Sequence, residues 1–219
     1  MAGFIYSQVL WVYVETGLIG FLADAPRSSA EVREFLGIGR EASDRLLAAG
    51  RSLDIAETPQ ADVWTLGEGG AALSANSGAM AMIRHHQLLY RDLVNPLALL
   101  AGESRAATEL AQFWTYSPGN ADQVQRPQPY SELMAATQPM IWGQILTRYP
   151  FVRHRRMLDV GGGSGAFVEA VAQVASKLEL GVFDLPAVTP LAQARFDRTA
   201  LADRVTIHSG SFRDDALPT

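Results

Sequence analysis

Met157-Leu158-Asp159-Val160-Gly161-Gly162-Gly163-Ser164-Gly165-Ala166-Phe167 is the stretch whose reading decides the fold. A short apolar strand enters a glycine-dense turn, and an apolar-patterned helix follows through Val168, Val171, Ala172 and Ala175. Glycines at 161, 163 and 165 allow positive φ and let a ligand approach the main chain without meeting a Cβ. A helix beginning near Ser164 offers free backbone N–H groups at its N-terminus. Strand, glycine turn and helix together read as a nucleotide-cofactor loop.

Downstream, Leu178-Glu179-Leu180-Gly181-Val182-Phe183 reads as a second strand with Asp184 at its C-terminal end. In a right-handed βαβ unit that end lies beside the glycine turn, where a carboxylate can accept both hydroxyls of a ribose. A third unit has Pro186 to Ala200 as helix and Arg204 to His208 as strand, running into Ser209-Gly210-Ser211-Phe212. Three strand ends then converge on one crevice.

The glycines alone fit two cofactors, because Gly161-x-Gly163-x-x-Ala166 also satisfies the dinucleotide form. Asp159, two residues before the first glycine, separates them. A pyrophosphate gains nothing from a carboxylate there, whereas an ammonium or sulfonium cation does. S-adenosylmethionine carries both cations, so Asp159, the glycines and Asp184 favour it over NAD.

Upstream, Tyr130 to Tyr149 reads as a helix with an apolar stripe of Leu133, Met134, Met140, Ile141, Ile145 and Leu146. The stripe is core by default. Its place just before the glycine turn also makes Tyr130, Met134 and Trp142 candidate walls of a cofactor or substrate cavity. Tyr116 to Pro129, rich in Pro, Gly, Asn, Asp and Gln, reads as an interdomain loop, and residues 78 to 114 as helical with a break at Pro96. The adjacent His85 and His86 point about 100° apart on a helix and do not converge on one metal.

Nearer the start, Ser28-Ser29-Ala30-Glu31 has capping-box spacing and opens a short helix that stops at Gly37; a second helix spans Arg40 to Ser52. Asp54 to Glu57 and Val63 to Leu66, joined by a turn at Thr58-Pro59-Gln60-Ala61, read as a hairpin. Helices followed by a hairpin are the winged-helix arrangement, which raises DNA binding. Between Ser28 and Leu66, however, Arg33, Arg40, Arg45 and Arg51 face Glu31, Glu34, Glu41, Asp44, Asp54, Glu57 and Asp62. A module with that excess of acid lacks the basic face that neutralises phosphates, which favours a scaffold or dimerisation role.

Residues 3 to 23 are apolar on most faces of one helix, a buried pattern. Glu15 interrupts the run, and it lacks a basic leader and a cleavage site, so neither a transmembrane helix nor a signal peptide is expected. The chain has 219 residues, no cysteine, a net charge of -5 and Lys177 as its one lysine. These values fit an acidic cytoplasmic protein and exclude a disulfide scaffold and a basic nucleic-acid tail.

The sequence resembles class I S-adenosylmethionine-dependent O-methyltransferases of the plant caffeate and bacterial small-molecule type. The likeness rests on the winged-helix pattern, the connecting helices, Leu158 to Gly165, and Phe183-Asp184-Leu185-Pro186-Ala187-Val188. A narrower likeness is to bacterial carotenoid O-methyltransferases of the hydroxyneurosporene and demethylspheroidene type. It rests on Ala2 to Leu10, Pro129 to Met134, and Tyr149 to Arg156.

The resemblance implies a winged-helix dimerisation module over 1–76, connecting helices over 77–150, and a partial Rossmann-like α/β domain over 151–219 holding the first three βα units. It implies a homodimer, the methionine end of S-adenosylmethionine at the turn of Gly161, Gly163 and Gly165 with its ribose on Asp184, and adenine beside Ser211 and Phe212. Met134 and Gln138 fall on the methyl-donor side, Gln138 in place of a usual small hydroxyl residue. Ser211 stands where the family usually has an acidic residue, which would weaken the hold on the adenine.

The implied acceptor is a hydroxyl of an apolar small molecule, such as a hydroxylated carotenoid, with membrane association in that case. The family's general base is a histidine beyond Thr219, and His85, His86, His154 and His208 do not match it. The first strand is expected in mid-sheet beside a fourth strand absent here. The expectation is therefore a chain truncated at both ends and inactive alone. The alternatives are a winged-helix regulator that binds S-adenosylmethionine without catalysis, and an NAD-dependent oxidoreductase.

Overall fold

The structure, a computed structural model, describes residues 2–102, 108–113 and 127–218. It divides into two units, Met1–Tyr90 and Arg91–Thr219.

The first unit opens with two helices where the apolar run suggests one: α1 (Gly3–Glu15) and α2 (Leu18–Asp24), bent 62° apart. Gly17 causes the break. It sits at φ 78°, a left-handed conformation that ends α1 and that a side chain would resist. The bend lets Tyr13 and Val14 from one helix and Leu18, Ile19 and Leu22 from the other enter a single core with Val32, Leu47, Ile55 and Ala56. Among the described residues no single helix is long and apolar enough to cross a membrane, although the bent α1–α2 pair passes by length and composition.

The capping box forms as its spacing requires. Glu31 N–H donates to Ser28 Oγ at 3.2 Å, Ser28 N–H donates to Glu31 Oε2 at 2.8 Å, and α3 (Ser29–Leu36) ends at Gly37. Two satisfied amides at this N-terminus fix where the helix starts. Helix α4 (Arg40–Ser52) crosses α1 closely, since a Cβ on Gly50 would run into the Tyr13 ring and hydroxyl.

The hairpin is β1 (Ala56–Gln60) against β2 (Val63–Leu66), antiparallel. Its turn lies later than the proline suggests: Thr58 to Gln60 stay in the strand, and Asp62 takes the left-handed φ of 59°. Helix α5 (Glu68–Ser74) carries no apolar stripe strong enough to read from sequence; it is anchored by Gly69 N–H donating to Asp54 Oδ2 at 3.2 Å. Helix α6 (Ser77–Asp92) follows.

In the second unit α7 (Pro96–Leu100) and α8 (Glu109–Phe113) precede α9 (Pro127–Thr137) and α10 (Pro139–Arg148). Pro127 to Pro129 thus belong to a helix and not to the expected loop, whose remainder, 116–126, lies outside the described residues, as does Trp114. The expected single helix over 130–149 breaks at Gln138 because Pro139 starts a new one.

Then come β3 (Arg156–Val160), α11 (Ala166–Val174), β4 (Glu179–Asp184), α12 (Thr189–Phe196) and β5 (Val205–Ser209). Helix α12 is shorter than the expected 186–200, since Leu185 O accepts from Val188 and Thr189 N–H in a turn that precedes it. The sheet is parallel, in the order β3-β4-β5, with Asp159 opposite Val182 and Asp184 opposite Ser209. Strand β4 is the middle one, and its Leu180, Val182 and Phe183 are buried, as a continuous apolar run demands. Strand β3 lies at an edge among the described residues, as expected for a first strand whose other neighbour is a fourth strand absent here. The core beneath is Val168, Val171, Ala172, Leu180, Val182, Ala192 and Phe196 with Phe151.

Candidate functional site

The parallel register brings the C-terminal ends of all three strands to one side, and the glycine turn closes over them. Gly161, Gly163 and Gly165 have φ of 74°, 58° and 76°, so alternate residues of the turn take the left-handed conformation. Their own amides are engaged. Gly161 N–H donates to Phe183 O at 2.8 Å, Gly165 N–H to Gly162 O at 2.9 Å, and Gly163 N–H to Asp184 Oδ2 at 2.7 Å. The helix also starts two residues later than expected, at Ala166 with Gly165 as its cap. The amides of Gly162 and Ser164 between them find no acceptor among the described residues.

A cleft of about 710 Å³ opens at this turn. It is lined by Tyr130, Ser131, Met134, Gln138 and Trp142 from α9 and α10, by Asp159, Gly161, Gly163 and Ser164, and by Asp184, Ser211, Phe212 and Asp214. Of the residues singled out from sequence, Met134, Asp159, Gly161, Gly163, Asp184, Ser211 and Phe212 are brought together here. Gly165 does not line it. A Cβ there would meet the Phe196 ring at 2.5 Å, so its absence of side chain serves packing against α12.

Asp184 is 4% exposed and tied on both oxygens: Leu185 N–H donates to Oδ1 at 2.7 Å and Gly163 N–H to Oδ2. Burial pushes its carboxyl up, and the two amides pull it back. Asp159, folded under the turn with its carboxyl 3.0 Å from where a Gly162 Cβ would stand, is raised to about 6 by burial and by the Asp184 charge. Burial and Asp184 also raise the Tyr130 phenol. Arg213 is the basic side chain among the cleft's lining residues, against Asp159, Asp184 and Asp214. Such a site favours a cationic ligand.

Ser211 stands where the resemblance implies an acid, and an acid lies beside it. Ser211 Oγ donates to Asp214 Oδ2 at 2.9 Å, and the Asp214 carboxylate is itself in the lining. Sequence reasoning missed it because the acid lies three residues on, within Phe212-Arg213-Asp214-Asp215. It also missed Ser131, which is 4% exposed.

Helices α9, α10 and α11 supply an apolar part of the lining: Met134, Ala135, Ile141, Trp142, Ile145 and Phe167. Trp142 stacks on Phe167 with centroids 5.8 Å apart. Among the described residues no histidine lines the cleft, and no group of three or more metal-ligating side chains gathers anywhere. His154 instead stacks on Tyr149, whose hydroxyl lies 2.8 Å from Nε2.

Comparison with known proteins gives concordant results. The O-methyltransferase domain family matches residues 90–219. Demethylspheroidene O-methyltransferase of Cereibacter sphaeroides is 39% identical over 220 residues, covering 100% of this chain and 58% of the relative. The enzyme of the same name from Rhodobacter capsulatus is 36% identical, covering 100% of this chain and 54% of that one. The chain therefore spans a little over half the length of these relatives.

Among solved structures, human N-acetylserotonin methyltransferase in complex with SAM superposes with a TM-score of 0.72 at 21% identity, over 99% of this chain and 65% of that one. PigF with SAH superposes with a TM-score of 0.73 at 17% identity, over 100% and 67%. These two show the shared methyltransferase fold.

Proposed function

We propose, from the premise that the chain belongs to the O-methyltransferase domain family, that its cleft binds S-adenosylmethionine beside an apolar acceptor whose hydroxyl is methylated. S-adenosylmethionine is the cofactor of this family, and it supplies an electrophilic methyl group on a sulfonium. The observation that carries the reading is the mixed lining of the cleft: half-buried Asp159 and buried Asp184 at the strand ends, and the apolar Met134, Ile141, Trp142 and Phe167 from the helices.

In this reading Asp184 takes the ribose hydroxyls, Asp159 faces the cationic end, and Ser211, Phe212 and Asp214 border the adenine. The apolar wall excludes water from the reacting oxygen. The acceptor class follows from the same wall and from the printed names of the two relatives: a hydroxylated, carotenoid-like molecule. Isothermal titration with S-adenosylhomocysteine and NADH tests the cofactor. Binding of S-adenosylhomocysteine is expected, and binding of NADH alone would sink the reading in favour of an oxidoreductase.

We read the first unit as a winged-helix dimerisation module rather than a DNA reader. The recognition-helix position, α4, sets Glu41 at 2.6 Å from Arg45 and Asp44 at 3.6 Å from Arg40, so carboxylates stand beside two of its three arginines and offset the basic face a phosphate would need. Helix α1 meanwhile exposes Phe4, Ile5 and Tyr6. Sedimentation velocity is expected to give a dimer that Ile5→Glu weakens; a monomeric wild type, or tight sequence-specific DNA binding at physiological salt, would overturn this assignment.

A further inference from the structure

From Leu133 to Leu158 the chain has no aspartate or glutamate, and within that stretch Arg148, Arg153, Arg155 and Arg156 fall in nine residues. In a chain of net charge -5 this is a sharp local reversal of sign. The turn that carries the arginines is closed on itself. Phe151 anchors it, 8% exposed in the core of the second unit. Tyr149 packs edge-on against Phe151 at 4.8 Å and stacks on His154 at 5.6 Å, with its hydroxyl 2.8 Å from His154 Nε2. Positions 149 and 154 therefore meet, which brings together Arg148, just before the one, and Arg155, just after the other.

All four arginines are exposed, and among the described residues none holds an ion pair or a side-chain hydrogen bond. An unpaired guanidinium breaks no internal contact when it meets a phosphate, which it grips through two N–H donors. Lys177 and Glu179 stand at the same end of the sheet, Glu179 opposite Arg156 in the register, and their charges cancel. The patch is not purely basic. Val152, midway along the turn, is 71% exposed, and Tyr149 is 49% exposed.

Cations interleaved with apolar and aromatic side chains suit the headgroup layer of an anionic bilayer, where arginine meets phosphate and the apolar side chain enters the acyl boundary. Nucleic acid offers phosphates but nothing for Val152, and a single turn of chain lacks the basic stripe that follows a nucleic-acid backbone. We infer that the turn 148–156 docks the protein on an anionic phospholipid surface. The inference stands on charge and exposure and does not depend on which cofactor the cleft takes. Ile145, which lines the cleft, lies one helical turn before Tyr149, about 5.4 Å along the axis. Docking through this turn thus gives an apolar ligand a short path from the bilayer to the apolar lining of the cleft.

The test is flotation of the full chain with vesicles of phosphatidylcholine alone and of phosphatidylcholine mixed with phosphatidylglycerol. Binding to the mixed vesicles only is expected, falling steeply as salt is raised. Arg153→Gln combined with Arg155→Gln is expected to weaken it about fivefold per arginine, about 25-fold for the pair. Arg153→Lys combined with Arg155→Lys keeps the charge and is expected to retain most of the binding, which separates a charge effect from a folding one. Val152→Ser leaves the charge alone and is expected to weaken vesicle binding several-fold.

Equal binding to both kinds of vesicle, binding to neither, a glutamine pair that binds like the wild type, or a lysine pair as weak as the glutamine pair would each overturn the inference. So would undiminished binding by Val152→Ser, which would leave a surface for any polyanion. Duplex DNA bound more tightly than the mixed vesicles at the same salt, and lost in the glutamine pair, would assign the turn to nucleic acid instead.

Discussion

Gly163 donates its backbone N–H to Asp184 Oδ2 at 2.7 Å, which ties the glycine turn after β3 to the last residue of β4. With Leu185 N–H on the other oxygen, the carboxylate is held by two main-chain donors, and its remaining lone pairs are left to the cleft.

Asp184→Asn should break this arrangement at little cost in volume. An amide offers one acceptor oxygen to two N–H donors, so its NH2 group must face one of them. A lost hydrogen bond to a charged group is worth about 1.5–3 kcal/mol, which corresponds to S-adenosylhomocysteine binding weakened by about tenfold to a hundredfold. Titration calorimetry checks this; unchanged affinity would remove Asp184 from the site.

Gly161 and Gly165 share the left-handed φ but differ in what surrounds them. A Cβ on Gly161 meets nothing within 4 Å, whereas one on Gly165 meets the Phe196 ring at 2.5 Å. Gly161→Ala should cost about 1–2 kcal/mol from the backbone alone, while Gly165→Ala adds overpacking of about 1–3 kcal/mol. Chemical denaturation should therefore rank Gly165→Ala as the more damaging, although only Gly161 lines the cleft. Equal costs would deny Gly165 its packing role.

Gly50→Ala is the matching experiment in the first unit. Its Cβ would collide with the Tyr13 hydroxyl, which donates to Leu46 O at 3.3 Å in a fully buried setting. A loss of about 1–3 kcal/mol is expected from forcing α1 and α4 apart. Denaturation of the variant measures it, and a neutral outcome would mean that Tyr13 has room to move.

What was legible in the sequence was what local chemistry decides. Ser28 and Glu31 define a helix start by themselves, and Leu180 to Phe183 form a short apolar run that reads as a buried strand. The cleft residues Asp159, Gly163 and Asp184 followed from a strand-turn-helix pattern whose geometry is nearly fixed. What depends on contacts distant in sequence was not legible. Gly165 looked like its neighbours until Phe196, 31 positions away, was seen to fill the space beside it. Gly17 gave no sign that it bends an apolar run until the core it serves was assembled. Asp214 in the cleft lining was hidden because only the folded loop shows which carboxylate of Asp214-Asp215 turns to Ser211 Oγ.

Asp159 makes the site sensitive to pH, with a direction that can be worked out. Its folded-state carboxyl titrates at about 6, raised from 3.8 first by burial and then by the Asp184 charge. A raised group favours the protonated fold. Its contribution to the stability of the ligand-free chain is fully present below about 3.8 and is lost as pH rises through about 6. Above that, the cleft holds two neighbouring carboxylates, and a cationic ligand relieves their repulsion. Binding therefore favours the ionised form. S-adenosylmethionine affinity should fall as pH drops from 7.5 to 5.5, and near pH 6 binding should release protons, seen as a dependence of the calorimetric enthalpy on buffer ionisation. Asp159→Asn should bind more weakly at pH 7.5, lose most of the pH step, and melt higher than the wild type at that pH without ligand. An affinity that stays flat from pH 8 to pH 5 in the wild type would show that Asp159 does not sense the ligand's charge.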